Sequence, residues 1–207
     1  MIDPRKVAFD IDGVIANTMQ LFIDIAKDVY GIDTVRYDSI TRYDLNDCLD
    51  IGPDIISDIV QRITEGNYSC CLEPISGAKR VLDRLRIFGP ILLVTARPKL
   101  GPIKAWADQM LGANPGEIKV IATGSFEAKP DVLLQKDVAF FVDDRLDTCF
   151  LLQQHDITPL VYVQPWNRKG HPFLEVDGWR QLEMLIDWEA SSEQNGLATS
   201  SRMVSGQ

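Results

Sequence analysis

The sequence lacks any apolar run long enough to cross a membrane. Its longest strongly apolar runs, Ile91 to Val94 and Val138 to Val142, are four and five residues long, whereas a membrane-spanning helix needs about 20 residues. The first apolar stretch is interrupted by Asp10 and Asp12, so it cannot form the apolar region of a signal peptide. We therefore expect no membrane association and a cytoplasmic location.

An excess of positive charge is also missing. Lys and Arg total 21 against 30 Asp and Glu, which gives a net charge of -9 and the wrong sign for a protein that binds phosphate backbones. Hydrophobic residues make up 45% and charged residues 25%, as in ordinary globular proteins, which excludes wholesale disorder. We expect a small-molecule substrate, no nucleic-acid polymer as partner, and a monomer or homodimer.

The sequence has few residues that could bind a soft metal ion. It contains four cysteines, none in C-x-x-C spacing, and only two histidines, which argues against a zinc site. We therefore expect reduced, packed thiols.

Short apolar segments without polar alternation predict strands that are buried on both faces. They are Lys6 to Asp10, Ile91 to Thr95, Ile118 to Ala122, Val138 to Asp143 and Pro159 to Val163. Segments with helical periodicity lie between them, as at residues 78–85 and 103–110. This alternation predicts an α/β protein with a three-layer parallel sheet, whose ligand crevice lies beyond the carboxyl ends of the strands.

The alternation is broken after the first strand. A helical pattern at residues 19–30 is followed by about 40 residues without a convincing buried strand, with a further helix predicted from Asp54 to Thr64. We interpret residues 18–71 as a small helical cap and residues 1–17 and 72–188 as the core domain. Residues 189–207 are rich in Ser, Gln, Gly, Asn and Thr, which predicts a disordered tail.

Acidic residues stand at the ends of two predicted strands. The segment VAFDIDGV at residues 7–14 brings Asp10 and Asp12 onto a glycine turn, and both side chains lie on one side if the chain stays extended. A simple Asp-Gly turn would explain this pair equally well. Asp143 and Asp144 end another strand, although either could merely cap the next helix.

A hydroxyl residue, Thr95, ends a third strand, where it could also serve as a helix cap. Because all these strand ends meet at one edge of a parallel sheet, the four carboxylates should converge there. They would repel one another strongly unless a cation were present. Their hard oxygen ligands favour Mg²⁺.

Together these motifs resemble the haloacid dehalogenase-like hydrolase superfamily, whose signatures are D-x-D-G, a strand-end Thr or Ser, a Lys and a terminal acidic pair. They occur here in the same order over residues 6 to about 165. The resemblance implies a Rossmann-like sheet with Asp10 as the nucleophile and Asp12 as the general acid and then base. It also implies that Thr95 binds phosphate and that Lys129 neutralises the nucleophile and the phosphate.

The same resemblance implies a Mg²⁺ site formed by Asp10, the main-chain carbonyl of Asp12, Asp143 and Asp144, with Asp144 as a direct ligand. Members that cleave carbon-halogen bonds lack the second acid of D-x-D, so Asp12 favours a phosphatase. We expect the charge of the phosphate to give Asp12 a modestly raised pKa, as a group that donates and later accepts a proton needs.

Lys129 is preferred over its neighbours Lys119 and Lys136 because Lys-Pro is typical of a helix start. Arg97, two residues after Thr95, could clamp a substrate phosphate or pair with a structural acid. Both alternatives stay open from the sequence.

The inserted segment resembles the cap of the 5′(3′)-deoxyribonucleotidase group, on the pattern I-T-x-Y-D-L at residues 40–45. The implied substrate is a (deoxy)nucleoside monophosphate, bound by Ala96 and Arg97 and by Phe22 and Tyr43, whose rings could stack on a base. These aromatic residues could instead pack the core of the cap.

Three further alternatives remain at this point. The enzyme could be a sugar-phosphate or other metabolite phosphatase, or the protein could bind phosphate without turnover. The segment at residues 164–168, after the last predicted strand, could border the site or form a surface turn.

Overall fold

The computed structural model describes residues 1–112 and 114–190 of the chain. Within them six strands form one parallel sheet in the order β3-β2-β1-β4-β5-β6. The strands are β1 (Val7–Phe9), β2 (Ile91–Thr95), β3 (Ile118–Ala122), β4 (Phe140–Asp143), β5 (Thr158–Tyr162) and β6 (Leu174–Val176).

Seven α-helices accompany the sheet in the described residues. They are α1 (Thr18–Tyr30), α2 (Pro53–Glu65), α3 (Ala78–Leu85), α4 (Leu100–Leu111), α5 (Lys129–Gln135), α6 (Leu146–Gln153) and α7 (Trp179–Leu185). Short 3-10 turns lie at Tyr37–Ser39, Leu45–Asp47, Arg86–Phe88 and Pro165–Asn167. No helix in the described part of the chain combines the length and the apolarity needed to span a membrane.

The sheet is buried on both faces, as the apolar strands predict. Neighbouring residues of a strand point to opposite faces, and Phe9 of β1 belongs to one apolar cluster while Ala8 belongs to the other. Helices α3, α4 and α7 supply apolar side chains to the first cluster, and α5 and α6 supply them to the second. The three-layer parallel α/β fold is therefore confirmed.

The bounds of five strands agree closely with those predicted from the sequence, and a sixth strand was not predicted. The bounds of β2 and β3 are those predicted, while β1, β4 and β5 differ by one or two residues at their ends. The sixth strand, β6, was not predicted. Leu174 and Glu175 are exposed in it, so this edge strand has no buried apolar run that a sequence pattern could show.

The strand order places β1 between β2 and β4, at the point where the order reverses. Phe9 pairs with Leu93 on one side and with Val142 on the other. The next residue, Asp10, therefore lies level with Asp143 at the carboxyl edge of the sheet. Ligand sites of open α/β sheets form at this kind of position.

Residues 18–71 contain α1, two 3-10 turns and α2, and no strand. The apolar faces of α1 and α2 are buried in the same cluster as the core helices. The two connections to this segment run side by side, since Ala16 forms an antiparallel bridge with Pro74. The division into core and cap remains our interpretation. Of the tail predicted at residues 189–207, residues 191–207 lie outside the described residues.

Candidate active site

Three buried carboxylates meet at the carboxyl ends of β1 and β4. Asp10 follows β1, Asp143 is the last residue of β4, and Asp144 comes next in the chain. One oxygen from each carboxylate lies within 4.8 Å of the other two. All three residues are buried. The structure thus brings the first acidic motif and the terminal acidic pair into one cluster, which we call the acidic cluster.

Lys129, the first residue of α5, supplies positive charge to this cluster. Its Nζ lies 2.8 Å from Oδ1 of Asp10 and 2.7 Å from Oδ2 of Asp143. Burial alone would lower the pKa of Lys129, but the charges of Asp10 and Asp143 outweigh burial and the net shift is upward. Lys119 and Lys136 are exposed, and Lys129 is the lysine that reaches the acids.

The carboxylates of the cluster outnumber the lysine, and their pKa values reflect the imbalance. Burial raises the pKa of Asp10 to about 7, although Lys129 opposes the rise. Burial and the charges of Asp143 and Asp10 raise the pKa of Asp144 well above its ordinary value. Three carboxylates are hard oxygen ligands of the kind that Mg²⁺ prefers, and a divalent cation would neutralise their excess charge. The donor set therefore fits Mg²⁺.

The carboxylate of Asp12 is held by other side chains and is not part of the acidic cluster. Arg97 donates from Nη2 to Oδ1 at 2.6 Å and from Nε to Oδ2 at 2.9 Å. The hydroxyl of Thr18 donates to Oδ1 at 2.6 Å, and that of Thr95 donates to Oδ2 at 3.3 Å. Only three of the four expected carboxylates therefore converge.

Without a phosphate at the site, the pKa of Asp12 is lowered from its ordinary value. Burial acts to raise the pKa of Asp12, but the charge and hydrogen bonds of Arg97, with the Thr18 hydroxyl, outweigh burial and lower it. This bidentate pair involves residues 85 positions apart in the sequence. The motif spacing gave no sign of it.

Arg97 also connects the end of β2 to the helical segment. It is 7% exposed, and its Nη1 donates to the main-chain carbonyl of Ile63 in α2 at 3.0 Å. Of the two alternatives for Arg97, pairing with an acid is the one found here. Thr95 does not cap the following helix, because α4 is preceded by Lys99 at its cap position.

Gly13 makes the close approach of the two acidic segments sterically possible. Its φ is +74°, and a Cβ built on it would lie 2.2 Å from Oδ2 of Asp144. Only a residue without a side chain fits this left-handed turn against a carboxylate. The glycine of D-x-D-G is therefore a packing requirement of the site.

The segment at residues 164–167 borders the site, which resolves the choice left open by the sequence. Gln164 donates from Nε2 to the carbonyl of Gly13 at 2.6 Å. Trp166 donates from Nε1 to Oδ2 of Asp144 at 2.9 Å, and Asn167 donates from Nδ2 to the carbonyl of Asp144 at 2.8 Å. These side chains therefore bind both acidic loops.

A cavity of about 520 Å³ opens beside Asp12 and Thr18, between α1, α2 and the end of β2. Most of its wall is apolar, formed by Met19, Phe22, Leu45, Pro53, Ile56, Val60, Ile63, Ala96 and Pro98. Polar groups on its wall include Asn46, Ser57, Thr64 and Arg97. Of the five residues proposed from the sequence to bind substrate, four line this cavity, Phe22, Tyr43, Ala96 and Arg97, whereas Thr95 is not among its lining residues.

The two aromatic residues of that set have different environments. Phe22 is 1% exposed and packs in the core cluster, whereas Tyr43 is 44% exposed. The guanidinium of Arg145 lies 4.3 Å from the ring centre of Tyr43 and 3.9 Å from that of Phe126. Tyr43 thus covers the arginine that follows the acidic pair.

Sequence reasoning did not identify Thr18 or Phe126 as neighbours of the site. Thr18 could have been noticed as a hydroxyl at the first position of the helix that follows D-x-D-G. Phe126 lies in the connection before Lys129, and its carbonyl accepts the N–H of Lys129 at 3.1 Å. Neither position has a sequence pattern that specifies its contact.

Comparison with known proteins gives one family and a common fold. The family described as 5′ nucleotidase, deoxy (Pyrimidine), cytosolic type C protein matches residues 5–192. No curated protein sequence matches the chain.

Among solved structures, CbbY from Rhodobacter sphaeroides in complex with phosphate is similar to this chain with a TM-score of 0.55 and 18% sequence identity, over 88% of this chain and 96% of that one. A haloacid dehalogenase-like family hydrolase from Streptococcus pneumoniae is similar with a TM-score of 0.57 and 14% identity, over 89% and 97% of the two chains. A HAD-superfamily hydrolase from Ehrlichia chaffeensis gives 0.51 and 16%, over 89% and 96%. At these identities the likeness shows the fold.

The family match covers most of the chain, and the fold is that of haloacid dehalogenase-like hydrolases. The chain therefore belongs to the deoxy (pyrimidine), cytosolic type C family of 5′ nucleotidases and is a phosphatase, a phosphoric monoester hydrolase of the haloacid dehalogenase-like superfamily.

Proposed function

We propose that this phosphatase hydrolyses a (deoxy)nucleoside monophosphate in a Mg²⁺-dependent reaction that passes through a phosphoaspartate at Asp10. One observation carries the proposal. The Asp10 carboxylate is held by Lys129 within an acidic cluster at the carboxyl edge of the sheet, and the neighbouring Asp12 lines a mainly apolar cavity of about 520 Å³.

In the first half of the reaction, an oxygen of Asp10 forms a bond to phosphorus while the bond from phosphorus to the leaving alkoxide breaks. Asp12 gives its proton to that alkoxide. Lys129 orients Asp10 and offsets its charge, and the Thr95 hydroxyl donates to a phosphoryl oxygen. When bound, Mg²⁺ supplies the charge neutralisation that lets a carboxylate approach a phosphate.

In the second half, Asp12 accepts a proton from water as the water oxygen bonds to phosphorus. The bond between phosphorus and Asp10 then breaks, which releases inorganic phosphate and restores the carboxylate. The pair with Arg97 keeps Asp12 ionised, the form that this step needs. In the first half, the negative charge of the bound phosphate beside Asp12 raises its pKa and opposes Arg97.

The cavity favours a nucleoside as the leaving group. Its volume of about 520 Å³ lies within the range of about 300–1,000 Å³ common for small-molecule sites. A base and a deoxyribose present flat or apolar faces that suit a wall of aliphatic side chains. A sugar phosphate would place several hydroxyls in this mainly apolar cavity, and each hydroxyl that is buried there without a partner costs about 1–3 kcal/mol.

A hydrolysis panel tests the substrate class. Phosphate release is measured with dUMP, UMP, glucose 6-phosphate and p-nitrophenyl phosphate at equal concentration, with Mg²⁺ and with excess EDTA. We expect the highest kcat/KM on a nucleotide and no release in EDTA. Equal or greater turnover of the sugar phosphate would overturn the substrate assignment, and no release from any ester would favour phosphate binding without turnover.

A second experiment tests Asp10 as the nucleophile. Rapid mixing with ³²P-labelled substrate and an acid quench should give protein-bound label that hydroxylamine removes, as expected for an acyl phosphate. Asp10→Asn should abolish both the label and turnover, because the attacking oxygen is lost. The matched variant Asp147→Asn changes a carboxylate that is 69% exposed on α6 and should keep both. Label in Asp10→Asn would refute the assignment.

A further inference from the structure

The indole N–H of Trp166 has an unusual partner for this protein. Trp166 is 5% exposed and donates from Nε1 to Oδ2 of Asp144 at 2.9 Å. The other three tryptophans, Trp106, Trp179 and Trp188, each donate from Nε1 to a main-chain carbonyl. The only polar side-chain group of Trp166 is therefore hydrogen-bonded to a carboxylate of the acidic cluster.

The position of that N–H is fixed by the packing of the ring. A Cβ built on Gly13 would lie 3.1 Å from Cζ2 of Trp166 and 2.2 Å from Oδ2 of Asp144, so the three residues are in mutual contact. On another side, the ring centre of Tyr37 lies 5.9 Å from that of Trp166. The donor is rigid, since an indole N–H cannot rotate independently of its ring.

Gln164 and Asn167, close to Trp166 in the chain, hydrogen-bond to the backbone of the two acidic loops. Asn167 donates from Nδ2 to the carbonyls of Asp144 and Tyr162, each at 2.8 Å. Gln164 donates to the carbonyl of Gly13 at 2.6 Å and accepts the hydroxyl of Tyr37 at 3.0 Å. The backbone of Asp144 is therefore held by Asn167, whereas the orientation of its carboxylate depends on the hydrogen bond from Trp166.

We propose that Trp166 is a positioning residue for the divalent cation. By taking one oxygen of Asp144, its indole N–H sets the orientation in which the carboxylate faces Asp10 and Asp143. Partners of this kind, which bind a metal ligand without touching the metal, change metal affinity by about 10–100-fold when they are removed. The inference rests on the Mg²⁺ dependence proposed above.

Calorimetric titration of Mg²⁺ into the full chain tests the inference without reference to activity. Trp166→Phe keeps most of the ring and removes the N–H, and we expect its Kd for Mg²⁺ to rise about 10–100-fold. The matched control is Trp106→Phe, which removes a buried indole N–H from the carbonyl of Leu72 and should leave the Kd within twofold. Urea unfolding in EDTA confirms that both variants are folded.

A measurement on the wild type covers the case in which Trp166→Phe folds poorly. The four tryptophans should give four indole resonances in a ¹H–¹⁵N spectrum, and Trp→Phe variants at the other three positions assign the fourth by elimination. Added Mg²⁺ should shift the Trp166 resonance and leave that of Trp106 unchanged. Equal Kd values with an unmoved Trp166 resonance would overturn the positioning role, whereas a wild type that binds no Mg²⁺ would overturn the proposed function as well.

Discussion

Replacing Lys129 by methionine tests the electrostatics of the acidic cluster directly. Methionine keeps most of the side-chain length and removes the charge. Lys129 is 2% exposed and contacts Asp10 at 2.8 Å and Asp143 at 2.7 Å. The variant Lys129→Met therefore leaves two buried carboxylates without the cation that they share.

The expected cost is large compared with the stability of an ordinary domain. Removal of one partner from a buried ion pair costs about 3–5 kcal/mol, and we expect the free energy of unfolding in EDTA to fall by about 4 kcal/mol. Domains are stable by only about 5–15 kcal/mol in total. The variant should therefore be folded but marginally stable when no metal ion is present.

The stability lost in Lys129→Met should also depend on pH, and the loss should be larger at higher pH. The pKa of Asp10 is already raised to about 7 with Lys129 in place, and loss of the lysine raises it further. A carboxyl group whose pKa is higher in the folded protein favours folding at low pH, and this contribution is lost as the pH rises through the folded pKa. The difference between the variant and the wild type should therefore widen from pH 6 to pH 8.

Urea unfolding followed by circular dichroism, in EDTA and at both pH values, provides the measurement. Lys136→Met, at an exposed residue immediately after the same helix, is the matched control and should change stability by less than about 0.5 kcal/mol. Mg²⁺ at 100 times its Kd should raise the free energy of unfolding of Lys129→Met by about 2.7 kcal/mol. A loss below about 1 kcal/mol in Lys129→Met would refute the assignment of a buried, energetically coupled lysine.

Three other outcomes are expected. Asp12→Asn should lower kcat by about 10²–10⁴ because acid-base catalysis is lost, and wild-type kinetics would show that the pair of Asp12 with Arg97 is only structural. Gly13→Ala should weaken Mg²⁺ binding in calorimetry because the new Cβ displaces Asp144. The control Gly31→Ala has a similar φ of +68°, but its new Cβ would have no atom within 4 Å, and it should not change Mg²⁺ binding. Equal effects of the two substitutions would point to backbone strain alone. Inorganic phosphate should bind in calorimetry with Mg²⁺ and not in EDTA, because the bare cluster carries more carboxylates than cations, and binding in EDTA would contradict this charge balance.

Much of the fold was accessible from the sequence because its strands are buried on both faces. An apolar run such as Ile91–Thr95, short and bounded by turn residues, is typical of a buried strand, and the bounds of β2 matched the prediction. Once the sheet is parallel, the residues that follow its strands share one edge. The proximity of Asp10 to Asp143 in the structure follows from that rule and needed no knowledge of side-chain conformations.

Contacts between side chains from distant elements were not accessible in the same way. Arg97 could have faced a phosphate or an acid, and the choice depends on how the end of β2 lies against the turn after β1. Tyr43 stacks on Arg145 because the loop between the two 3-10 turns of residues 18–71 lies beside Asp144. Periodicity and spacing describe single elements, so they do not specify which of several polar partners a long side chain reaches.

The pairing of Arg97 with Asp12 helps to explain how the two acids of the D-x-D-G motif can have different roles in the proposed reaction. Asp10 and Asp12 are two residues apart, yet burial raises the pKa of Asp10 to about 7 while Arg97 lowers that of Asp12. The difference arises because Asp10 shares Lys129 with another carboxylate, whereas Asp12 has a bidentate guanidinium. Groups whose pKa values are pushed apart can take different roles in one reaction. In the proposed mechanism further positive charge at the cluster would lower the pKa of Asp10 and favour its ionised, nucleophilic form, while Asp12 stays ionised and able to activate water until a phosphate arrives beside it.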